Sequence, residues 1–93
     1  MKTVAFFVVR GESWEICEDK NIKSAEGDPL CGYCDHDERR IVIDKNLESL
    51  ERIQTIIHEV LHAVSEDVSE AFVENAEWSI VAALHAAGHP LGD

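Results

Sequence analysis

The sequence predicts a small α+β domain, with a sheet of about three short strands packed on two antiparallel helices. Three observations carry that expectation. Apolar and β-branched runs fall in the first half, at residues 4–9 and 41–43; a helical repeat of apolar residues runs from Leu50 to Val64; and a second repeat starts near Glu70, after a break at residues 65–69. At 93 residues the chain is expected to form one domain, 1–93, with one modest core.

The first run, Val4-Ala5-Phe6-Phe7-Val8-Val9, does not alternate, so it is expected to be a strand buried on both faces. Trp14-Glu15-Ile16-Cys17 reads as a second short strand. Residues 18–30, with Asn21, Gly27 and Asp28-Pro29, read as a loop. Ile41-Val42-Ile43 is the core of a third strand, and the polar stretch 34–39 before it resembles a hairpin turn.

Asn46 is placed to cap the first helix. At ~100° per residue, Ile53, Ile56, Ile57, Val60, Leu61 and Val64 share one broad face. With Ile53 at zero, His58 and His62 fall near ~140° and ~180°, off that face, and Glu59 near ~240°, toward the same open side as His62. Ser69 or Asp67 can cap the second helix, expected over 70–87 with an apolar stripe of Val73, Ala76, Ile80, Leu84 and Ala87. Gly88-His89-Pro90 ends it. Phe72 and Trp78 are expected to pack inside, because so few aromatics are available to fill a core.

Charge narrows the range of partners. Nineteen acidic against eight basic side chains leave a formal charge of −11, and after Arg52 seven acidic residues follow with no lysine or arginine. Such a field disfavours nucleic acid and anionic membranes, and favours metal ions and cationic peptides. Residues 1–10 begin like a secretion signal, but the apolar run is too short and Arg10 ends it; no segment is long enough to span a bilayer. Three cysteines, an odd number, suit a reducing cytoplasm better than a disulfide framework.

The chemistry is concentrated in His58-Glu59-Val60-Leu61-His62, an HExxH pattern. Histidines four apart on a helix can direct two imidazoles at one Zn²⁺ ion, and the intervening glutamate can act as general base on water activated by that ion. A catalytic zinc site needs a third protein ligand. If the chain reverses near residues 66–68, His62 faces roughly 70–72 and His58 roughly 74–76 on the next helix. Glu70 and Glu74 are then the candidates, with Glu70 nearest His62; Glu77 lies a turn too far, and Glu66 reaches the metal only if the first helix unwinds at Ser65.

The motif resembles that of the zincin metallopeptidases, and a glutamate on the following helix is similar to the gluzincin arrangement. The wider pattern comprises Gly32-Tyr33-Cys34-Asp35, Arg40-Ile41-Val42-Ile43-Asp44, Thr55 to Ala63, Ser69-Glu70 and Val73. It resembles small phage and prophage zinc metallopeptidases over about residues 31–84. The resemblance implies a minimal zincin-like domain in the host cytoplasm that hydrolyses peptide bonds, with His58 and His62 as zinc ligands, Glu59 as catalytic base and Glu70 as third ligand. Its partner would be a peptide or protein substrate, and a cleft this small could be completed by a homodimer. No histidine stands at the metzincin spacing.

The competing reading is a non-catalytic zinc-binding interaction module, including a degenerate peptidase that binds a host protein without cutting it. Cys31-Gly32-Tyr33-Cys34 has knuckle spacing, and Cys17 and His36 could complete a structural zinc site with it. His85 and His89, again four apart, could gather adventitious metal with Asp93.

Overall fold

The computed structural model describes residues 1–91. It contains four strands, β1 (Lys2–Val9), β2 (Glu12–Asp19), β3 (Gly32–Asp35) and β4 (Arg40–Asp44), followed by two helices, α1 (Ser49–Val64) and α2 (Glu70–Ala86). The result is a small α+β domain with a mixed sheet in the order β1-β2-β4-β3 and two packed helices.

Arg10 and Gly11 both have positive φ (49° and 81°), so the β1–β2 hairpin turns through two left-handed residues whose twist matches the flanking strands. The chain then crosses one face of the sheet, returns along β3 and inserts β4 between β2 and β3. There β4 runs parallel to β2 and antiparallel to β3. This central position buries Ile41, Val42 and Ile43 completely, each contributing about 1.5–3 kcal/mol. On the helix side Trp14 and Ile41 meet Ala63, Ile56 and Val60 of α1; on the other side Cys17 and Val42 meet Ile22, Leu30 and Tyr33.

Several expectations are corrected. The sheet has four strands, not about three. Cys34 and Asp35 belong to β3, so the turn into β4 is shorter than residues 34–39. The strand buried on both faces is β4, whereas β1 is an edge strand: Phe7 and Val9 pack on the helix-side core with Trp14, while Phe6 (68% exposed) and Val8 (70%) alternate onto the opposite face. β2 extends to Asp19, and the segment after it is ordered by Ile22 in the core and a bridge between Lys23 and Pro29.

The helices also depart from the expectation. Asn46 does not cap α1: its backbone N–H bonds the Asp44 side chain at 2.9 Å, and Glu48 stands at the cap position without a side-chain bond. Ser69 does cap α2, accepting from the Phe72 N–H at 3.1 Å. The buried line on α1 is Thr55, Glu59 and Ala63, because α1 is covered by β3 and β4 on one side and by α2 on another. The buried line on α2 is Val73, Glu77 and Val81, rotated from the expected stripe; Ile80 and Ala87 are exposed. Phe72 (57% exposed) and Trp78 (52%) point outward, since α2 packs on α1 and leaves its far face uncovered.

Gly32 sets how closely α1 approaches the sheet. A Cβ at this position would stand 2.7 Å from the Val42 carbonyl oxygen, 3.0 Å from Thr55 Cγ2 and 3.5 Å from Glu59 Cγ. Gly32→Ala is therefore expected to destabilise the fold by about 1–3 kcal/mol through overpacking, read as a lower urea midpoint with unchanged slope. An unchanged midpoint would mean that β3 and α1 are not in this contact.

Candidate metal centre

Two helical turns and one chain reversal assemble the centre. His58 and His62 are four apart on α1, so their rings stack along one side with centroids 5.0 Å apart. The break after Val64 and the Ser69 cap fix where α2 begins, which puts Glu70 in its first turn, opposite His62. The helices run antiparallel, as His62 meets Glu70 while His58, a turn earlier, also meets Glu77.

The Glu70 carboxylate lies 2.6 Å from His62 Nε2 through one oxygen and 3.4 Å from His58 Nε2 through the other. One ligand atom from each of His58, His62 and Glu70 lies within 4.8 Å of the others, the one such metal-holding group among the described residues. Two imidazole nitrogens and a carboxylate oxygen form a donor set suited to a metal ion. Glu74, the other candidate, is not in that group.

Glu59 departs from its expected place on the open side. It is only 7% exposed, held under β3 by the close approach at Gly32, yet it lines the same cavity of about 530 Å³ as His58, His62 and Glu70. Burial, opposed by His58 and reinforced by Glu70 and Glu77, pushes its carboxyl up to about 7 from the ordinary 4.5. A carboxyl in that range can exchange protons near neutral pH.

One side chain, Gln54, has no role in the sequence pattern, and two others, Glu77 and His36, take roles different from those expected. Glu77, expected to lie a turn too far, is 4% exposed and accepts a 2.8 Å hydrogen bond from His58 Nδ1. Gln54 Nε2 donates to its other oxygen at 3.4 Å. A glutamate on the otherwise apolar line Val73–Val81 was the available signal. His36, considered for a cysteine zinc site, bonds the His62 backbone carbonyl at 2.9 Å through Nε2 and stands 3.5 Å from Glu66 through Nδ1. It thereby ties the β3–β4 turn to the end of α1, where helix carbonyls lack intrahelical partners.

The cysteines do not assemble. Cys17 lies on the sheet face away from the helices and Cys34 on the face toward them, so they cannot share an ion. All three thiols are free, and burial with the nearby Glu59, Asp35 and Glu66 pushes Cys34 up to about 12, which keeps it protonated. His85 and His89 join no cluster among the described residues, and Asp93 lies outside them.

Among the described residues, no lysine or arginine forms an ion pair with Glu59, Glu70 or Glu77; Arg52, the nearest along the chain, pairs with Glu18. No helix of the described residues is long and apolar enough to cross a membrane. Compared with protein-family models, curated proteins and solved structures, the chain matches none of them.

The Glu59 shift predicts how the metal-free protein responds to pH. Its folded-state pKa lies above its unfolded value, so the native state holds a proton that the unfolded chain releases. This contribution to stability is fully present below about pH 4.5 and is lost as pH rises through about 7. Relative to Glu59→Gln, the metal-free wild type should lose several degrees of melting temperature across that window. Parallel melting curves for the two proteins would contradict the shift.

Proposed function

We propose that the protein is a zinc-dependent metallopeptidase of minimal zincin type, with His58, His62 and Glu70 as zinc ligands and Glu59 as general base. The observation that carries this reading is the His58–His62–Glu70 donor triad, opening into the cavity where Glu59 is held. Two histidines and a glutamate match the ligand set of catalytic zinc sites that leave one position open. Bound there, zinc would act as a Lewis acid, polarising a carbonyl and lowering the pKa of water. Glu59 takes the proton from the attacking water and returns it to the leaving amine.

The surroundings support a peptide substrate. β3 is an edge strand, and its residues Gly32, Tyr33 and Cys34 line the cavity beside the two histidines. An extended chain can pair with such an edge and bring a carbonyl to the centre. Leu30 and Tyr33 give one side of the cavity an apolar wall, whereas Glu66 and Glu70 make the other acidic and favour substrates that carry positive charge. The free thiols fit a reducing cytoplasm.

A non-catalytic zinc-binding interaction module is the second reading. It is favoured by Phe72 and Trp78, exposed on the outer side of α2, an area that a host protein or a second copy could cover.

Metal analysis joined to peptide cleavage decides between them. Wild type should carry about one zinc per chain, and His58→Ala and Glu70→Ala should lose it. Glu59→Gln should keep the metal while cleavage of a mixed peptide library falls by about 100- to 10,000-fold. Unchanged zinc in both ligand variants would overturn the assignment. Zinc-loaded wild type that cuts no peptide would decide for the interaction module.

A further inference from the structure

The contact between His58 and Glu77 has a role beyond holding the helices together. Glu77 sits in the α1–α2 interface between Val73 and Val81, at 4% exposure, with no lysine or arginine partner among the described residues. A carboxylate there costs desolvation energy that an apolar side chain of similar size would not incur. Its two oxygens are used separately. One accepts from His58 Nδ1 at 2.8 Å and the other from Gln54 Nε2 at 3.4 Å, and both donors lie on α1, four residues apart.

A carboxylate only accepts hydrogen bonds, and of the two that flank neutral His58 only Glu77 stands in hydrogen-bonding geometry, 2.8 Å from Nδ1, while Glu70 stays 3.4 Å from Nε2 without such a bond, so the ring proton goes to Nδ1. The lone pair is then left on Nε2, the nitrogen directed at Glu70. Gln54 fixes the carboxylate, the carboxylate fixes the ring, and the ring presents one nitrogen to the centre before any ion arrives.

Resting on the metal-centre reading above, we infer that Glu77 is a positioning residue: with Gln54 it selects the tautomer and orientation in which His58 binds zinc. It trades stability of the helix interface for metal affinity. Removing such a carboxylate from beside a metal-binding histidine lowers metal affinity by about 10- to 100-fold. Replacing a buried carboxylate with an apolar group of similar volume is often neutral or stabilising where the donors it leaves can reach water, as half-buried Gln54 and His58 can. A purely structural role would move both quantities in the same direction.

The test compares wild type, Glu77→Gln and Glu77→Leu. Zinc affinity is measured by competition with a chromophoric chelator, metal-free melting by circular dichroism, and the His58 ring proton by long-range ¹H–¹⁵N correlation at a pH where the ring is neutral. In metal-free wild type the proton is expected on Nδ1. Glu77→Leu should bind zinc about 10- to 100-fold more weakly with a melting temperature equal to or above that of wild type. Glu77→Gln, which keeps an acceptor but loses the charge, should fall between them and carries the affinity comparison if the leucine variant does not fold. Wild-type zinc affinity in both variants, or a ring proton on Nε2 in wild type, would overturn the inference while leaving the metal centre in place. A wild type that binds no zinc would overturn both.

Discussion

Uncompensated negative charge is the constraint on which the rest of this structure depends. Glu59, Glu70 and Glu77 converge where α1 meets β3 and α2, and two of them are nearly removed from solvent. Among the described residues, the only cation-forming groups that pair with Glu70 and Glu77 are His58 and His62, and no lysine or arginine pairs with any of the three. Carboxylates gathered in this way must bind protons, retreat to water or share a cation. Glu59 takes the first course in the metal-free state, and Glu70 turns toward the imidazoles. A divalent ion among His58, His62 and Glu70 would supply the missing positive charge where the donors already point.

The rest of the fold maintains that gathering. β4, buried on both faces, supplies the rigid floor, and Gly32 on its neighbour lets α1 settle close enough to cover Glu59. α2 packs on α1, so its placement relies on a narrow interface of Val73, Glu77 and Val81. The polar contacts of the centre are therefore also contacts of the helix pair, so a metal ion bound there would strengthen the docking of α2.

Local patterns made part of this legible in the sequence. Ile41-Val42-Ile43 and the apolar repeat after Leu50 are strong, short-range signals, and the antiparallel turn they imply already brought Glu70 within reach of His62. Properties set by distant neighbours were not legible. The run at residues 4–9 reads as a strand buried on both faces, but burial depends on what covers a strand, and nothing in its own residues records that the face carrying Phe6 and Val8 is left exposed. Gly32-Tyr33-Cys34-Asp35 carries little β signature, yet pairing with β4 makes it a strand. Helical projection described α1 as having one covered face, so Glu59 was placed outward; with β3 on one flank and α2 on another, it is enclosed. Spacing along the helix rates Glu77 only as a distant ligand, whereas its position on the apolar line between Val73 and Val81 is the local sign that it is buried.

X-ray absorption at the zinc edge on the stoichiometrically loaded protein reads the ligands of the ion itself. Zinc held by His58, His62 and Glu70 should show a first shell containing two imidazole nitrogens and a carboxylate oxygen, with both imidazole signals lost together when His58 and His62 are replaced by alanine. Sulfur scatterers in the first shell, or two imidazoles that persist in that double variant, would contradict that ligand set.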